Sequence, residues 1–254
     1  MSLSPDGTRL LINKDDQEAI VFDCATGEKK PMGGGSFVQA VGWSPSGETC
    51  WVGSSHDHRA RLLDAKTGKP VREVTSRFAS VLAGAVSPDG ESLLTGHSSF
   101  SEGHAIVWNI ESGKPTRTLV GHRMEVKAVC FSPEGERVAT TCAAGEGRIW
   151  SVKDGKQLAL LSGHAREIVA VAWHPKDRWI ATASLDGTTR LWDPKSGKEL
   201  CRLVSVGGGK DWIVATPDGR YHASADAVGK ANLYQSDRFF QKAVPDLWTT
   251  LFPK

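Results

Sequence analysis

The chain has 254 residues, 39% of them hydrophobic and 24% charged, and 31 Lys and Arg face 29 Asp and Glu for a formal charge of +2. That length allows one large domain or two small ones. The near balance of charge, with Lys and Arg scattered along the chain, excludes the cationic footprint of a dedicated nucleic-acid binder. Asp6, Arg9, Lys14, Asp15 and Asp16 break up the amino terminus, so neither a signal peptide nor a membrane span is expected. Five cysteines (Cys24, Cys50, Cys130, Cys142 and Cys201) make an odd total without a CxxC pair. They read as buried, reduced thiols of a cytoplasmic protein.

In chain order, an apolar run is followed six times by a proline-centred turn: Ser4-Pro5-Asp6-Gly7, Ser44-Pro45-Ser46-Gly47, Ser87-Pro88-Asp89-Gly90, Ser132-Pro133-Glu134-Gly135, His174-Pro175-Lys176-Asp177 and Thr216-Pro217-Asp218-Gly219. Successive prolines are 40, 43, 45, 42 and 42 residues apart, and a large apolar residue (Phe22, Leu63, Trp108, Trp150, Trp192, Tyr234) stands 17 to 20 positions after each. Two markers moving together define one unit copied six times, over residues 1–35, 36–78, 79–122, 123–164, 165–206 and 207–254, within a single domain.

The first copy begins almost at its turn, since only Met1-Ser2-Leu3 precede it, so it lacks most of its inner strand. The third carries an insertion between His97 and His104. The fifth is the clearest. Ile168–His174 and Trp179–Ser184 form a hairpin around Pro175, Asp186-Gly187 turns the chain into Thr188–Asp193, and Ser196-Gly197-Lys198 turns it into Glu199–Val204. The result is four antiparallel strands per copy. A lone four-stranded sheet cannot bury both faces, so the copies must stack, and radial stacking suits this period. The expected fold is an all-β propeller of about six four-stranded blades. It is either a piece of a longer seven-blade propeller or a ring that closes imperfectly, and an open blade edge would favour a homo-oligomer.

Strand direction puts the proline turns and the turns at Gly27, Gly68, Gly113, Gly155 and Gly197 on one side, here the bottom, and the two other loop types on the top. Bottom turns repeat almost verbatim, whereas top loops vary, so function is expected on top. His56, His58, Phe100, Glu102, His104, Arg123, Met124, Glu125, Arg166 and Glu167 are the candidate contacts for a protein or peptide partner.

Gly121-His122, Gly163-His164, Val107-Trp108-Asn109, Ile149-Trp150-Ser151 and Leu191-Trp192-Asp193 resemble the Gly-His and Trp-Asp signatures of the WD-repeat β-propeller family, in its divergent bacterial form. The likeness implies a buried hydrogen-bonded set in each blade, matched in full in the fifth copy as His164, Ser184, Asp186 and Trp192. The second copy keeps Ser55 and Asp57 but has Leu63 for Trp; the fourth has Ala144 for Asp; the first offers only Asp16 with Phe22. The likeness also implies an interaction scaffold or sensor within a larger assembly.

Catalytic chemistry finds less support. His56-Asp57-His58 lacks a third or fourth ligand for zinc or copper, so no metal is expected. Gly207-Gly208-Gly209-Lys210 does not meet the spacing of a phosphate loop, and no cofactor is expected. The Ser, His and Asp of the fifth copy mimic a triad, but their periodic placement assigns them to blade stabilisation. Trp43, Trp51, Trp173, Trp179 and Trp212 read as packing between blades. Two other functional classes remain: an enzyme working at the channel mouth, and a purely structural segment of a longer array.

Overall fold

A computed structural model describes residues 1–14, 18–33, 35, 37–76, 80–98, 103–206, 209–227 and 242–243. Among them the body is β-sheet, formed by five sheets in chain order. Blade 1 holds β1 (Ser2–Leu3), β2 (Arg9–Lys14), β3 (Glu18–Asp23) and β4 (Lys29–Met32). Blade 2 holds β5 (Val38–Trp43), β6 (Thr49–Ser54), β7 (Arg59–Asp64) and β8 (Pro70–Thr75). Blade 3 holds β9 (Val81–Val86), β10 (Ser92–His97), β11 (Gly103–Asn109) and β12 (Pro115–His122). Blade 4 holds β13 (Val126–Phe131), β14 (Arg137–Cys142), β15 (Glu146–Ser151) and β16 (Gln157–Ser162). Blade 5 opens with β17 (Ile168–Trp173), β18 (Ile180–Ser184), β19 (Thr188–Trp192) and β20 (Glu199–Val206). All pairings in these four-strand sets are antiparallel neighbours, as the turn chemistry requires.

The turns hold their shape for local reasons. In Ser4-Pro5-Asp6-Gly7 the Ser4 hydroxyl donates to the Asp6 carboxylate at 2.5 Å, the Thr8 amide donates to the same oxygen at 3.0 Å, and Gly7 takes φ 71°. Asp177 fills the glycine position of the fifth turn at φ 53°, a conformation that Asp tolerates better than most side chains.

Alternate residues of each sheet face its two neighbours, and the core lies between blades. Leu11, Val21 and Met32 of blade 1 meet Val38, Trp43, Cys50 and Leu63 of blade 2. Trp51, Leu62 and Val74 meet Leu93 and Trp108. Leu94, Val107 and Leu119 meet Phe131, Val138 and Trp150. Ile149 and Leu161 meet Ile180 and Trp192. Each large side chain so buried stabilises the fold by roughly 1.5–3 kcal/mol. Polar clamps join the bottom turns of adjacent blades: Arg9 donates to the Gly47 carbonyl at 3.0 Å and stacks 4.6 Å above Trp43, while Arg137 binds Asp177 at 2.7 Å and stacks 4.9 Å above Trp173. These contacts between bottom turns agree with the strand-parity argument.

Three expectations need correction. The first blade is a four-stranded sheet as expected, with its inner strand reduced to Ser2–Leu3 and tied down by the Trp43 indole, which donates to the Ser2 carbonyl at 3.0 Å. The sixth copy, however, opens no sheet of its own among the described residues, so five blades are seen where about six were expected. Its strands β21 (Asp211–Ala215) and β22 (Arg220–Ala223) continue blade 5 outward from β20, followed by β23 (Lys242–Ala243), which pairs parallel to β22. Trp212 accordingly lies 43% exposed instead of packing between blades. Cys24 is exposed, whereas Cys50, Cys142 and Cys201 are buried and Cys130 half-buried, all with free thiols. Burial pushes the thiols of Cys50, Cys130 and Cys201 up to about 12, so they stay protonated and inert.

Candidate functional site

The repeat's polar residues converge inside blades 3, 4 and 5, each on a threonine. The indole N–H of Trp108, Trp150 and Trp192 donates to Thr95, Thr140 and Thr182 at 2.7, 2.7 and 2.8 Å. An imidazole Nε2 completes each set: His97 at 2.8 Å from Thr95, His122 at 2.6 Å from Thr140, His164 at 2.7 Å from Thr182. The hydroxyl of the fifth copy is therefore Thr182 and not Ser184. Register explains the shift: Trp192 lies opposite Ile180 and Arg190 opposite Thr182, so the indole reaches two pairs towards the top and stops two residues short of Ser184. The Ser184 hydroxyl instead donates to the Arg166 carbonyl at 3.0 Å and accepts from the Asp186 amide at 3.1 Å.

Blades 4 and 5 solve the far side of the imidazole in opposite ways. In blade 5, His164 Nδ1 lies 2.8 Å from the Asp186 carboxylate, which can only accept, so Nδ1 carries the proton and the Thr182 hydroxyl donates to Nε2. In blade 4, Ala144 replaces the aspartate, and the Arg148 guanidinium donates to His122 Nδ1 at 2.9 Å while also binding Gln157 at 2.9 Å and Glu146 at 3.1 Å. A guanidinium can only donate, so here Nδ1 accepts and Nε2 carries the proton. Burial, reinforced by Arg148, lowers His122 to about 3. Burial also lowers His164, against the opposing pull of Asp186. The hydrogen bonds from Thr188, His164 and Ala165 outweigh burial at Asp186 and hold its carboxyl well below the usual range. Both histidines are thus neutral, with their ring nitrogens engaged. A proton-transfer site needs an open nitrogen or hydroxyl facing a reacting atom, and these sets offer none.

Blades 1 and 2 replace the polar set with hydrocarbon: Ile12 and Phe22 stand at the threonine and tryptophan positions of blade 1, and the buried Val52 and Leu63 at those of blade 2. Asp57 accepts from the Arg61 guanidinium and the Arg59 amide, and the hydrogen bonds outweigh burial to lower its pKa. It serves the outer side of blade 2, and no cluster of three potential metal ligands exists among the described residues.

The candidate contact residues fall into two top corners. On blade 2, His56 and His58 are exposed; His56 stacks on Phe37 with centroids 5.4 Å apart, and both Phe37 and His58 take left-handed conformations, φ 57° and 60°. At the entries to blades 4 and 5, Arg123 and Met124 before β13 and Arg166 before β17 are exposed, while Lys127 bridges Glu125 at 2.7 Å and Glu167 at 3.5 Å, joining the two inner strands at the rim. Arg166 donates to the Leu185 carbonyl at 3.2 Å. His104 lies on β11 opposite His97, half-buried, so it belongs to the blade more than to the open face. Phe100 and Glu102 lie outside the described residues, as do Asp16 and Tyr234. Phe37, Lys127 and Leu185 were missed by sequence reasoning. Phe37 and Leu185 expose 45% and 49% of their surface, beside 49% for Met124, which makes them the apolar projections of the top face.

No helix among the described residues is long and apolar enough to cross a membrane. No curated protein matches the chain. A family model described as WD domain, G-beta repeat, matches residues 113–151 and 155–193. Each matched stretch begins at the outer strand of one blade and ends at the third strand of the next, and the two stretches include the tryptophans of blades 4 and 5 with their threonines and histidines. Such straddling ties neighbouring blades through the chain itself. Repeats of this kind generally mediate protein–protein interaction. With its all-strand blades, its indole–hydroxyl–imidazole sets and these two matched repeats, the chain fits a WD-repeat family.

Proposed function

We propose that the chain is a non-catalytic interaction module that holds a protein or peptide partner on its top face, as a scaffold or sensor in a cytoplasmic, bacterial assembly. The observation that carries this reading is the division of labour among the side chains. The groups with chemical potential are spent inside the blades, whereas Phe37, Met124 and Leu185 project apolar surface beside Arg123, Arg166 and His56. An exposed apolar side chain ringed by charge is the composition of a contact surface. Rigid blades hold the loops in place, which lowers the ordering cost of association. The thiols, free and largely shielded, fit a reducing compartment.

The test is affinity capture from extract of the source cells with the wild type, a top-face variant (Met124→Ser, Arg166→Ala, Leu185→Ser) and a bottom control (Lys66→Ala, Lys153→Ala). The expected result is at least tenfold less of the same partner with the top-face variant and unchanged recovery with the control. Equal recovery by all three overturns the assignment.

A further inference from the structure

At each of the four junctions between blades, the same position on a second strand meets the first residue of the following inner strand. Asn13 Nδ2 donates to the Val38 carbonyl at 3.2 Å, and Thr141 Oγ1 to the Ile168 carbonyl at 3.4 Å. Gly53 and Gly96 lie so close to Val81 and Val126 that a Cβ on either glycine would stand 3.2 Å from the valine Cβ. In blade 5 this position is Ala183, and the residue that the repeat would set against it is Lys210. They do not meet here, because β21 follows the outer edge of β20.

The place that β21 leaves is prepared for a strand. Ala170 and Ala172 lie on the face of β17 turned away from blade 4 and are exposed. Their counterparts Ala83 and Ala85 on β9, and Ala128 and Cys130 on β13, are buried or half-buried where the next blade packs. Small side chains let neighbouring inner strands approach closely, and β17 keeps them with no inner strand beyond it among the described residues. The segment that would fit is intact. β21 and β22 form an antiparallel hairpin one residue shorter across its turn than a blade's first hairpin, with Ala215 opposite Tyr221 where Trp173 lies opposite Ile180; Gly219 takes φ 86° in the turn, and the Thr216 hydroxyl binds Asp218 as Ser4 binds Asp6 and Ser87 binds Asp89. The connection suffices as well. Residues 207–210 number four, three of them glycine, whereas the other outer-to-inner connections, 33–37, 76–80, 123–125 and 163–167, use three to five.

We propose that the Asp211–Ala223 hairpin has two seats: the outer edge of β20, where it lies here, and the bare face beside β17 and Ala183, where it becomes the first hairpin of a sixth blade. The edge seat offers backbone pairing over five residue pairs. The inner seat offers burial of Ala170 and Ala172 and continues the contact that four earlier junctions make. The end of β22 lies on the top side in both seats, so moving between them shifts it from the outer edge towards the centre and enlarges the interaction face by one blade, a bistable element of the kind that switching proteins use.

Disulfide trapping separates the seats. Trp212 directs its backbone N–H and carbonyl towards Ser224, so Ser205 and Trp212 form a non-hydrogen-bonded cross-strand pair, the geometry in which a disulfide fits. S205C/W212C therefore reports the edge seat. A183C/K210C reports the inner seat, where the equivalent pairs bring the Cβ positions to 3.2 Å, within a few tenths of an ångström of disulfide spacing; in the edge seat these two residues are three strands apart, roughly 14 Å. Both variants are made in a Cys24→Ser background, equilibrated in a glutathione redox buffer, and read by mass spectrometry under dilute conditions. The expected result is an intramolecular disulfide in each variant, with effective molarities within about tenfold of one another. Closure of the 205–212 pair while the 183–210 pair stays reduced, or links two chains, overturns the proposal.

Discussion

Blades 4 and 5 and blades 1 and 2 share strand order, the proline turn and packing between sheets, yet they fill the same interior positions with opposite chemistry. In blades 4 and 5 an indole, a threonine hydroxyl and a buried imidazole are bound to one another and closed off by Arg148 or Asp186. In blades 1 and 2 Ile12 with Phe22 and Val52 with Leu63 occupy the same positions. A satisfied polar network and a hydrocarbon contact are alternative solutions to one packing problem. The histidines are therefore structural, and the difference between the two regions lies in what a single substitution or a proton does to them.

His122→Ala is the severest way to break the comparison, because it leaves Trp150, Thr140 and the Arg148 guanidinium without their shared partner in a closed interior. The expected loss is about 4 kcal/mol in urea unfolding. Leu63→Ala in blade 2 removes only contact and leaves a cavity, for an expected loss of about 3 kcal/mol. Acid then tells the two apart. The folded protein releases the His122 proton down to about 3, whereas an unperturbed histidine takes it up at 6.5. The folded state thus binds fewer protons, so this contribution is complete above pH 6.5 and declines as pH falls towards 3. Between pH 6.5 and 5 it amounts to about 2 kcal/mol. Leu63→Ala is expected to keep the full acid dependence in parallel unfolding curves, and His122→Ala to lose most of it, retaining the share of His164. A smaller effect sharpens the picture at the blade 2 corner: His58→Gly relieves a left-handed backbone at φ 60° and is expected to raise stability by about 0.5 kcal/mol. No gain in thermal midpoint would show that the side chain of His58 holds its corner by contacts worth more than the strain.

Much of this architecture was legible because it repeats. The proline turns set the hairpins, the tryptophans marked third strands, and the variable loops marked the top. The hydroxyl partner was misplaced at Ser184 because the reach of an indole depends on cross-strand register, which spacing alone does not give. A signal for it existed: Thr95, Thr140 and Thr182 each stand seven residues after a turn proline. His97 escaped notice for a related reason. It supplies from β10 the imidazole that the absent Gly-His of its copy would have supplied from a loop, so the same interior is reached from a different stretch of chain. Phe37 and Leu185 carry no periodic mark, and only their exposure in the folded protein reveals them. The sixth copy was read as a blade from its turn, yet the turn specifies a hairpin and says nothing about which sheet edge or face receives it.

The central claim, that the imidazoles of blades 4 and 5 are neutral structural parts fixed by opposite closing partners, is tested most directly by nitrogen-15 NMR of the histidine rings at pH 7. The account predicts that His122 carries its proton on Nε2 and His164 on Nδ1, with the His122 ring staying neutral between pH 7 and 6. The same tautomer at both sites, or an imidazolium at either at pH 7, would contradict it.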